Sequence, residues 1–268
     1  MSTLKILEGE AIYYEFAAPT YIPKTFVFVN ALTGNTGMWA DHICEHLQSQ
    51  GYGTLCYNFR GQPDTTFSDE TNLSPSLIVD DLCFLLSEIN PPSPILVGLS
   101  IGGLFASRAY LAGLEASGLV LINTLRKPSQ RLDWINQAMV RLAKIGGGRL
   151  VMAANMPVIA APDLLAQMWD ATFSMEPYEA PKVTDGLLRL MVSSLNADWN
   201  LPYEQLDLPV LVLTGIHDRL FRIDSDISEL KARIPQAEEK VYLDAGHLIP
   251  LERPSQFCEH LIEFATNC

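Results

Sequence analysis

One short pattern in the sequence suits nucleophilic chemistry at a serine: Gly98-Leu99-Ser100-Ile101-Gly102 follows an apolar run and opens a helical pattern. A serine on such a sharp strand-to-helix turn has a strained backbone, so the positions two before and two after it must lack side chains. The helix that follows directs its first N–H groups toward an oxyanion forming there. The pattern also occurs by chance in ordinary glycine-rich turns. Its strand-turn-helix setting favours Ser100 as a nucleophile.

A serine hydroxyl reacts slowly unless a base accepts its proton. His247 meets this need, because it follows the predicted strand Lys240–Leu243 in the loop Asp244-Ala245-Gly246-His247. Ligand chemistry in open α/β sheets gathers at the carboxyl ends of strands. We therefore predict His247 as the general base.

Other histidines suit this task less well. His42 and His46 lie four residues apart on one predicted helix, and His260 lies on another. A zinc site built on His42 and His46 lacks a third ligand at a suitable spacing. We predict no metal site.

Asp218 is the predicted orienting acid, because it ends the loop Gly215-Ile216-His217-Asp218 after the strand Val210–Thr214. Its role would be to accept the Nδ1 proton of His247 and to stabilise the imidazolium. The chain order Ser, Asp, His is the one expected when a Gly-x-Ser-x-Gly turn carries the nucleophile.

Alternatives to this assignment remain open. Asp218 would also serve as a helix N-cap, although Asp224 or Asp226 suits that role as well. His217 is a rival base, but it directly precedes the acid. The acid could instead follow an earlier strand, Leu119–Asn123. The residues there are Asn123 and Thr124, and neither has a carboxylate.

Short β-rich runs alternate with helical patterns along the chain, which predicts a mostly parallel α/β sheet flanked by helices. The predicted strands are Ile12–Phe16, Phe26–Asn30, Thr54–Asn58, Ile95–Leu99, Leu119–Asn123, Val210–Thr214 and Lys240–Leu243. The predicted helices are Gly37–Ser49, Ser76–Ile89, Ile101–Ala112, Ile223–Ile234 and Pro254–Thr266. The inner strands are almost unbroken apolar runs, as expected for strands buried on both faces.

Residues 126–199 interrupt this alternation with helical periodicity and no convincing strand. We predict an inserted helical cap at 126–199 and a core formed by residues 1–125 and 200–268. The insertion is rich in methionine and tryptophan: Trp134, Met139, Met152, Met156, Met168, Trp169, Met175, Met191 and Trp199. Trp134, Met168 and Trp169 are candidates for lining an apolar substrate cavity, and each would equally suit packing against the core.

The amino-acid composition and charge of the chain exclude some classes of protein. A chain of 268 residues with 48% hydrophobic residues can bury one large core, and a formal charge of −13 argues against nucleic-acid binding. The sequence has neither a signal-peptide pattern at its start nor an apolar run long enough to span a bilayer. Its five cysteines show no C-x-x-C spacing, which favours reduced thiols. We expect a cytoplasmic protein that does not enter membranes.

Taken together, the motifs resemble the α/β-hydrolase superfamily over nearly the whole chain, which implies the α/β-hydrolase fold. Gly215–Asp218 resembles the acid loop of that family, and Gly246 through Pro254 resembles its histidine loop and the entry to its last helix. Tyr57–Gly61 resembles the loop after the fourth strand, although Gln62-Pro63-Asp64 replaces the more usual small residues. The inserted segment occupies the position of the family's helical cap.

A departure follows the strand residues Phe26 to Val29, where the family commonly has His-Gly and this chain has Asn30-Ala31-Leu32-Thr33-Gly34. The resemblance implies that the backbone N–H groups of Leu32 and Ile101 form an oxyanion hole, and backbone donors survive a change of side chain. Asn-x-Leu resembles the enol-lactone hydrolases. Ala-Leu-Thr-Gly resembles a motif of homoserine O-acyltransferases, which are typically longer.

The resemblance implies a serine hydrolase that cleaves a small, fairly apolar carboxylic ester or lactone through an acyl-enzyme on Ser100, with no metal or organic cofactor. Its partner would be a small-molecule substrate. Two alternatives remain, since one fold hosts many functions. The first is an acyltransferase that uses the same residues, and the second is a ligand-binding or signalling protein without turnover. The oligomeric state is not predicted.

Overall fold

The computed structural model of the chain describes residues 2–173 and 177–268. Its strands are β1 Ser2–Leu7, β2 Glu10–Ala17, β3 Thr25–Val29, β4 Gly53–Tyr57, β5 Pro94–Leu99, β6 Gly118–Ile122, β7 Val210–Gly215 and β8 Glu238–Tyr242. Its α-helices are α1 Gly37–Trp39, α2 Glu45–Ser49, α3 Pro75–Ile89, α4 Ile101–Leu111, α5 Gln130–Ile159, α6 Pro162–Phe173, α7 Gly186–Ser194, α8 Asp224–Ala232, α9 Ile249–Glu252 and α10 Pro254–Ala265. A π-helical turn, Ala40–Cys44, joins α1 to α2, and Tyr203–Gln205 forms a 3₁₀ turn.

The strands form one eight-stranded sheet in the order β1-β2-β4-β3-β5-β6-β7-β8. β2 pairs antiparallel with β1 and with β4, and every other pairing is parallel. The predicted mostly parallel sheet is therefore confirmed. Because β3 and β5 to β8 run in the same direction, their carboxyl ends meet at one edge of the sheet.

The edge strand β1 was not predicted. Its residues alternate between exposed and half-buried, and its one partner is β2. An edge strand of this kind buries little apolar surface, so its hydrophobic pattern is weak.

Apolar side chains cover both faces of the sheet. Along β3, Val27 and Val29 pack on one face with α3, α4 and α8, whereas Phe26 and Phe28 pack on the other with α10 and the helices around Trp39. Successive residues of a strand point to opposite faces, so this arrangement needs the unbroken apolar runs found in the sequence. The two layers hold the sheet, and with it the edge that carries the site, in place.

Residues 126–173 and 177–199, between β6 and β7, contain α5, α6 and α7 and no strand. The long helix α5 bends where Gly146 and Gly147 leave helical geometry, Gly147 at φ 65°. Within the described residues, no helix combines the length and apolar character needed to cross a membrane.

Candidate active site

Ser100, Asp218 and His247 follow β5, β7 and β8 at the same edge of the sheet. All three side chains are buried. Residues far apart in sequence thus meet because three parallel strands end together.

The turn at Ser100 has the geometry that the glycine spacing predicts. Ser100 lies at φ 59° and ψ −120°, and α4 begins at the next residue. A Cβ on Gly102 would lie 2.2 Å from the Val29 carbonyl oxygen, and one on Gly98 would lie 2.4 Å from the Gly103 nitrogen. These distances are too short for a side chain, so both positions require glycine for Ser100 to lie directly before α4.

Asp218 and His247 form a hydrogen-bonded pair. The Asp218 Oδ2 atom lies 2.6 Å from His247 Nδ1, and Asp218 Oδ1 accepts a hydrogen bond from the Phe221 N–H at 2.9 Å. Burial raises the pKa of the Asp218 carboxyl, but the charge and hydrogen bond of the facing imidazole outweigh it, so the pKa lies below its ordinary value. Asp218 is not the cap of α8, whose N-cap is Ile223.

Asn123 lies at the alternative acid position, which has no carboxylate. Its side chain joins the loops that carry Asp218 and His247. Its side-chain amide donates to the carbonyl oxygens of Gly246 and His247 at 3.0 and 2.9 Å and accepts from the Gly215 N–H at 3.1 Å. Asn123 has a positive φ of 48°, which asparagine tolerates better than most residues. Sequence reasoning weighed this position only as a place for an acid and missed its part in positioning the loops.

The two departures from the family pattern, Asn30 and Gln62, contact each other. Asn30 Nδ2 donates to Gln62 Oε1 at 2.9 Å, and Gln62 Nε2 donates to the carbonyl oxygens of Ala31 at 2.9 Å and Leu32 at 3.2 Å. The Asn30 Oδ1 atom accepts from Trp39 Nε1 at 2.7 Å. The loop after β4 therefore fixes the backbone of the loop after β3.

The predicted oxyanion donors lie in two segments, the start of α4 and the loop after β3. Ile101 is the first residue of α4, where a helix leaves its N–H groups without intrahelical partners. Leu32 is half-buried and follows β3, the strand whose last carbonyl contacts the first turn of α4 at Gly102. The structure thus brings the β3 loop against the start of α4.

Arg126 is a buried residue of the site that the sequence analysis did not identify. Its Nη2 donates to Ser100 Oγ at 2.8 Å and to the Asn123 carbonyl oxygen at 3.0 Å. Its guanidinium carbon lies 3.9 Å from the centroid of the Phe221 ring and 5.0 Å from that of Trp199. Burial lowers the pKa of Arg126 to about 10, so the side chain remains cationic near neutrality. The signal available in the sequence was a charged residue three positions after the apolar strand Leu119–Asn123.

A cavity of about 730 Å³ lies beside the loop after β3. Its walls include Thr33 to Asn35, Gly61 to Thr65 and three methionines of the inserted segment, Met152, Met156 and Met168. Ser100 is not among the described residues that line it, so the cavity borders the loop after β3 rather than the Ser100 turn.

Of the three substrate-binding candidates in the inserted segment, one lines the cavity and two do not. Met168 lines the cavity, whereas Trp134 is 80% exposed, Trp169 is 64% exposed, and neither is a lining residue. Trp169 follows Met168 on α6 and therefore points about 100° away around the helix, against Phe173. Met175 lies outside the described residues.

A sequence profile of the alpha/beta hydrolase fold family matches residues 24–254. The chain belongs to the α/β-hydrolase fold family. The match spans the Ser100 turn, the Asp218 loop and the His247 loop, and the eight-stranded sheet is the predicted fold of this family.

Solved α/β-hydrolase structures superpose on nearly the whole chain. An α/β-hydrolase enzyme from a Medee basin deep-sea metagenome library matches with a TM-score of 0.83 and 21% identity, over 99% of this chain and 97% of its own. An esterase from Exiguobacterium antarcticum matches with a TM-score of 0.78 and 16% identity, over 99% of both chains. The enol-lactonase from Burkholderia xenovorans matches with a TM-score of 0.78 and 21% identity, over 96% of this chain and 97% of its own. Similarity at these identities establishes the fold.

Proposed function

We propose that this α/β-hydrolase is a serine hydrolase that cleaves a small carboxylic ester or lactone. The observation that carries the proposal is the strained Ser100 turn at the same sheet edge as the hydrogen-bonded pair of Asp218 and His247. A nucleophile, a base and an orienting acid in these positions form the arrangement that acyl transfer to serine requires. The esterase and enol-lactonase neighbours support the choice of an ester bond.

In the proposed mechanism, Ser100 Oγ attacks the substrate carbonyl while His247 Nε2 accepts its proton. Asp218 holds His247 Nδ1–H and stabilises the imidazolium, as the 2.6 Å contact favours. The N–H groups of Leu32 and Ile101 donate to the oxyanion. The imidazolium then protonates the leaving alkoxide, and water attacks the acyl-enzyme with His247 again as the base.

Residues 126–199 would act as a cap over this site. Three contacts around the end of α5 support this role. His247 N–H donates to Ile159 O at 2.6 Å, Arg219 N–H to Val158 O at 2.8 Å, and the Ala161 N–H to the Glu252 carboxylate at 2.7 Å. The cap therefore contacts both catalytic loops, and the cavity lined by its methionines would receive the apolar part of the substrate.

A small fluorophosphonate tests the proposal without knowledge of the natural substrate, because it reacts with activated serines. We expect one adduct, mapped by mass spectrometry to Ser100, and none in Ser100→Ala. The exposed Ser49→Ala serves as the matched control and should label like the wild type. His247→Ala should slow labelling at least about a hundredfold, since general-base assistance typically contributes that much.

The outcomes separate the alternatives. Labelling of Ser100 together with ester hydrolysis supports the proposal. Labelling with product formed only when an alcohol or thiol acceptor is added would indicate an acyltransferase. A folded protein that does not label would contradict the proposal and favour the ligand-binding alternative.

A further inference from the structure

The mechanism above leaves a buried cation unused. Arg126 is 7% exposed, and none of the described aspartates or glutamates forms an ion pair with it. Its Nε–H has no hydrogen-bond partner among residues 2–173 and 177–268. Burying a guanidinium with an unpaired donor costs free energy that the adjacent rings offset only in part.

The guanidinium is held rigidly in this position. Phe221 packs on it and also on the His247 ring, whose centroid lies 5.1 Å from that of Phe221. Trp199, at the end of the inserted segment, packs on it as well. Arg126 itself begins that segment, so both ends of the segment meet at this side chain. Such preorganisation suits recognition of a ligand group rather than a solvated surface charge.

The distances limit where that ligand group would lie. Arg126 Nη2 lies 2.8 Å from Ser100 Oγ, the atom that attacks the carbonyl. An attacked carbonyl carbon approaches the nucleophile to about 3 Å, and a guanidinium binds a carboxylate oxygen at about 2.8 Å. A carboxylate on Arg126 would therefore be separated from the scissile carbonyl by about one to three carbon atoms.

From these observations, which rest on the proposed function, we infer that Arg126 binds a carboxylate on the acyl side of the substrate. The substrate class is then a monoester of a short dicarboxylic acid, or a lactone that carries a carboxylate. One oxygen of a planar carboxylate would give the unpaired Nε–H a partner, and the other would replace Ser100 Oγ as an acceptor at Nη2, which would leave the serine hydroxyl to His247. One carboxylate also matches the single positive charge of Arg126, which has no ion-pair partner among the described aspartates and glutamates.

The test compares two esters of the same shape, monomethyl succinate and its uncharged analogue methyl succinamate. In the wild type we expect kcat/KM for the anionic ester to exceed that for the amide at least about tenfold, because charge-assisted hydrogen bonds are about twice as strong as neutral ones. In Arg126→Gln this ratio should fall to about one or below. The ratio is the readout, since Arg126 contacts Ser100 and its loss also affects reaction with the amide.

Two further variants separate a role in recognition from a role in structure. Arg126→Lys keeps the charge without the fork and should give an intermediate ratio. Arg141→Gln makes the same charge change at an exposed position of the inserted segment and should keep the wild-type ratio. A fall in kcat/KM that is equal for both esters in Arg126→Gln would overturn the inference.

The same two compounds, added as competitors of fluorophosphonate labelling, make the result independent of turnover. Protection of Ser100 by the anionic ester and not by the amide, lost in Arg126→Gln, supports the carboxylate subsite. Equal protection by both, or by neither, overturns it. Absence of labelling in folded wild-type protein contradicts the proposed hydrolase itself, so the two failures are distinguishable.

Discussion

Ser100 has the backbone conformation of a glycine. At φ 59° and ψ −120°, a Cβ is poorly accommodated, and residues held in such regions store about 1–3 kcal/mol of strain. The neighbouring strands and Gly102 hold the turn in this form. The proposed nucleophile therefore occupies a position that lowers the stability of the fold.

Two substitutions at this residue separate the strain from the loss of the hydroxyl. Both Ser100→Ala and Ser100→Gly remove the hydrogen bond with Arg126, but only glycine relieves the backbone. We expect Ser100→Gly to be more stable than Ser100→Ala by about 1–2 kcal/mol, measured by urea unfolding. Equal stability of the two variants would show that the turn carries no strain.

Asp218 provides a prediction about pH. Its pKa in the folded chain lies below the ordinary value, mainly through the facing His247, so ionised Asp218 stabilises the fold above about pH 4. This contribution is lost as the pH falls through the lowered pKa. Asp218→Asn removes it. The gap in melting temperature between the wild type and Asp218→Asn should be full above about pH 5 and shrink toward about pH 3.

A gap that stays constant over this range would contradict the lowered pKa. Asp226→Asn, at an acidic position in the first turn of α8 outside the pair, is the control. Its effect should vary less with pH than that of Asp218→Asn.

At the residue scale, the sequence identified the residues that lie within recognisable motifs. Ser100, Asp218 and His247 follow strands whose apolar runs are clear, and the structure places them at one edge. Arg126 and Asn123 were missed because their roles depend on contacts with Ser100 and with residues 92 to 124 positions away. No local pattern encodes such contacts.

Among the elements, the loops after β3 and β4 act as one unit. Asn30 and Gln62 were each visible in the sequence as a departure, but their hydrogen bond was not, because it spans 32 residues. Gln62 supports the carbonyl oxygens of Ala31 and Leu32 and thereby fixes the orientation of the peptides around the proposed oxyanion donor. The departure from the family pattern in the loop after β3, Asn30, is thus matched by the departure in the loop after β4, Gln62.

Gln62→Glu tests this coupling. Glutamate keeps one acceptor oxygen but replaces the donating amide with an oxygen that faces two carbonyl oxygens. We expect kcat/KM for ester hydrolysis to fall about 10- to 100-fold, as the oxyanion donor shifts. The exposed Gln50→Glu makes the same chemical change and should leave the rate unaltered. A wild-type rate in Gln62→Glu would remove the loop after β4 from the proposed mechanism.

Element boundaries were predicted best where a local signal exists. The helix predicted at Ser76–Ile89 begins one residue earlier, at Pro75, where Ser74 caps it by accepting a hydrogen bond from the Leu77 N–H at 3.2 Å. The helix predicted at Gly37–Ser49 contains the π-helical turn Ala40–Cys44. Trp39 and Cys44 at this turn are both buried in the core, and helical periodicity alone does not report such an irregularity.

In the whole molecule, Glu252 joins three regions. Its buried carboxylate accepts hydrogen bonds from the N–H groups of Ala161 at 2.7 Å, Gly246 at 2.9 Å and Leu248 at 3.0 Å. These donors belong to the inserted segment and to the loop that carries His247. One carboxylate thus links the inserted segment, the loop that carries His247 and the C-terminal helices.

Glu252→Gln should weaken this link without changing its shape. The amide of glutamine faces backbone donors that need acceptors, so we expect a loss of about 2–4 kcal/mol in the free energy of unfolding. Urea denaturation would measure it, with the exposed Glu259→Gln as the matched control on the adjoining helix. A loss below about 0.5 kcal/mol would show that the three regions hold together without this carboxylate.

The mostly parallel sheet was predictable at this scale because its inner strands are apolar throughout and alternate with helices. The wall of the cavity was less predictable. Helical periodicity finds apolar faces, but it does not distinguish a face turned to the core from one turned to a cavity or to solvent, as Trp134 and Trp169 show.

The cavity wall of Met152, Met156 and Met168 consists of unbranched thioethers, each with several freely rotating single bonds. Such a wall remodels by torsion alone, without movement of the backbone. If the cavity receives the apolar part of the substrate, as proposed, its shape would adapt to different hydrocarbon groups, while the polar contacts at the sheet edge keep a fixed geometry.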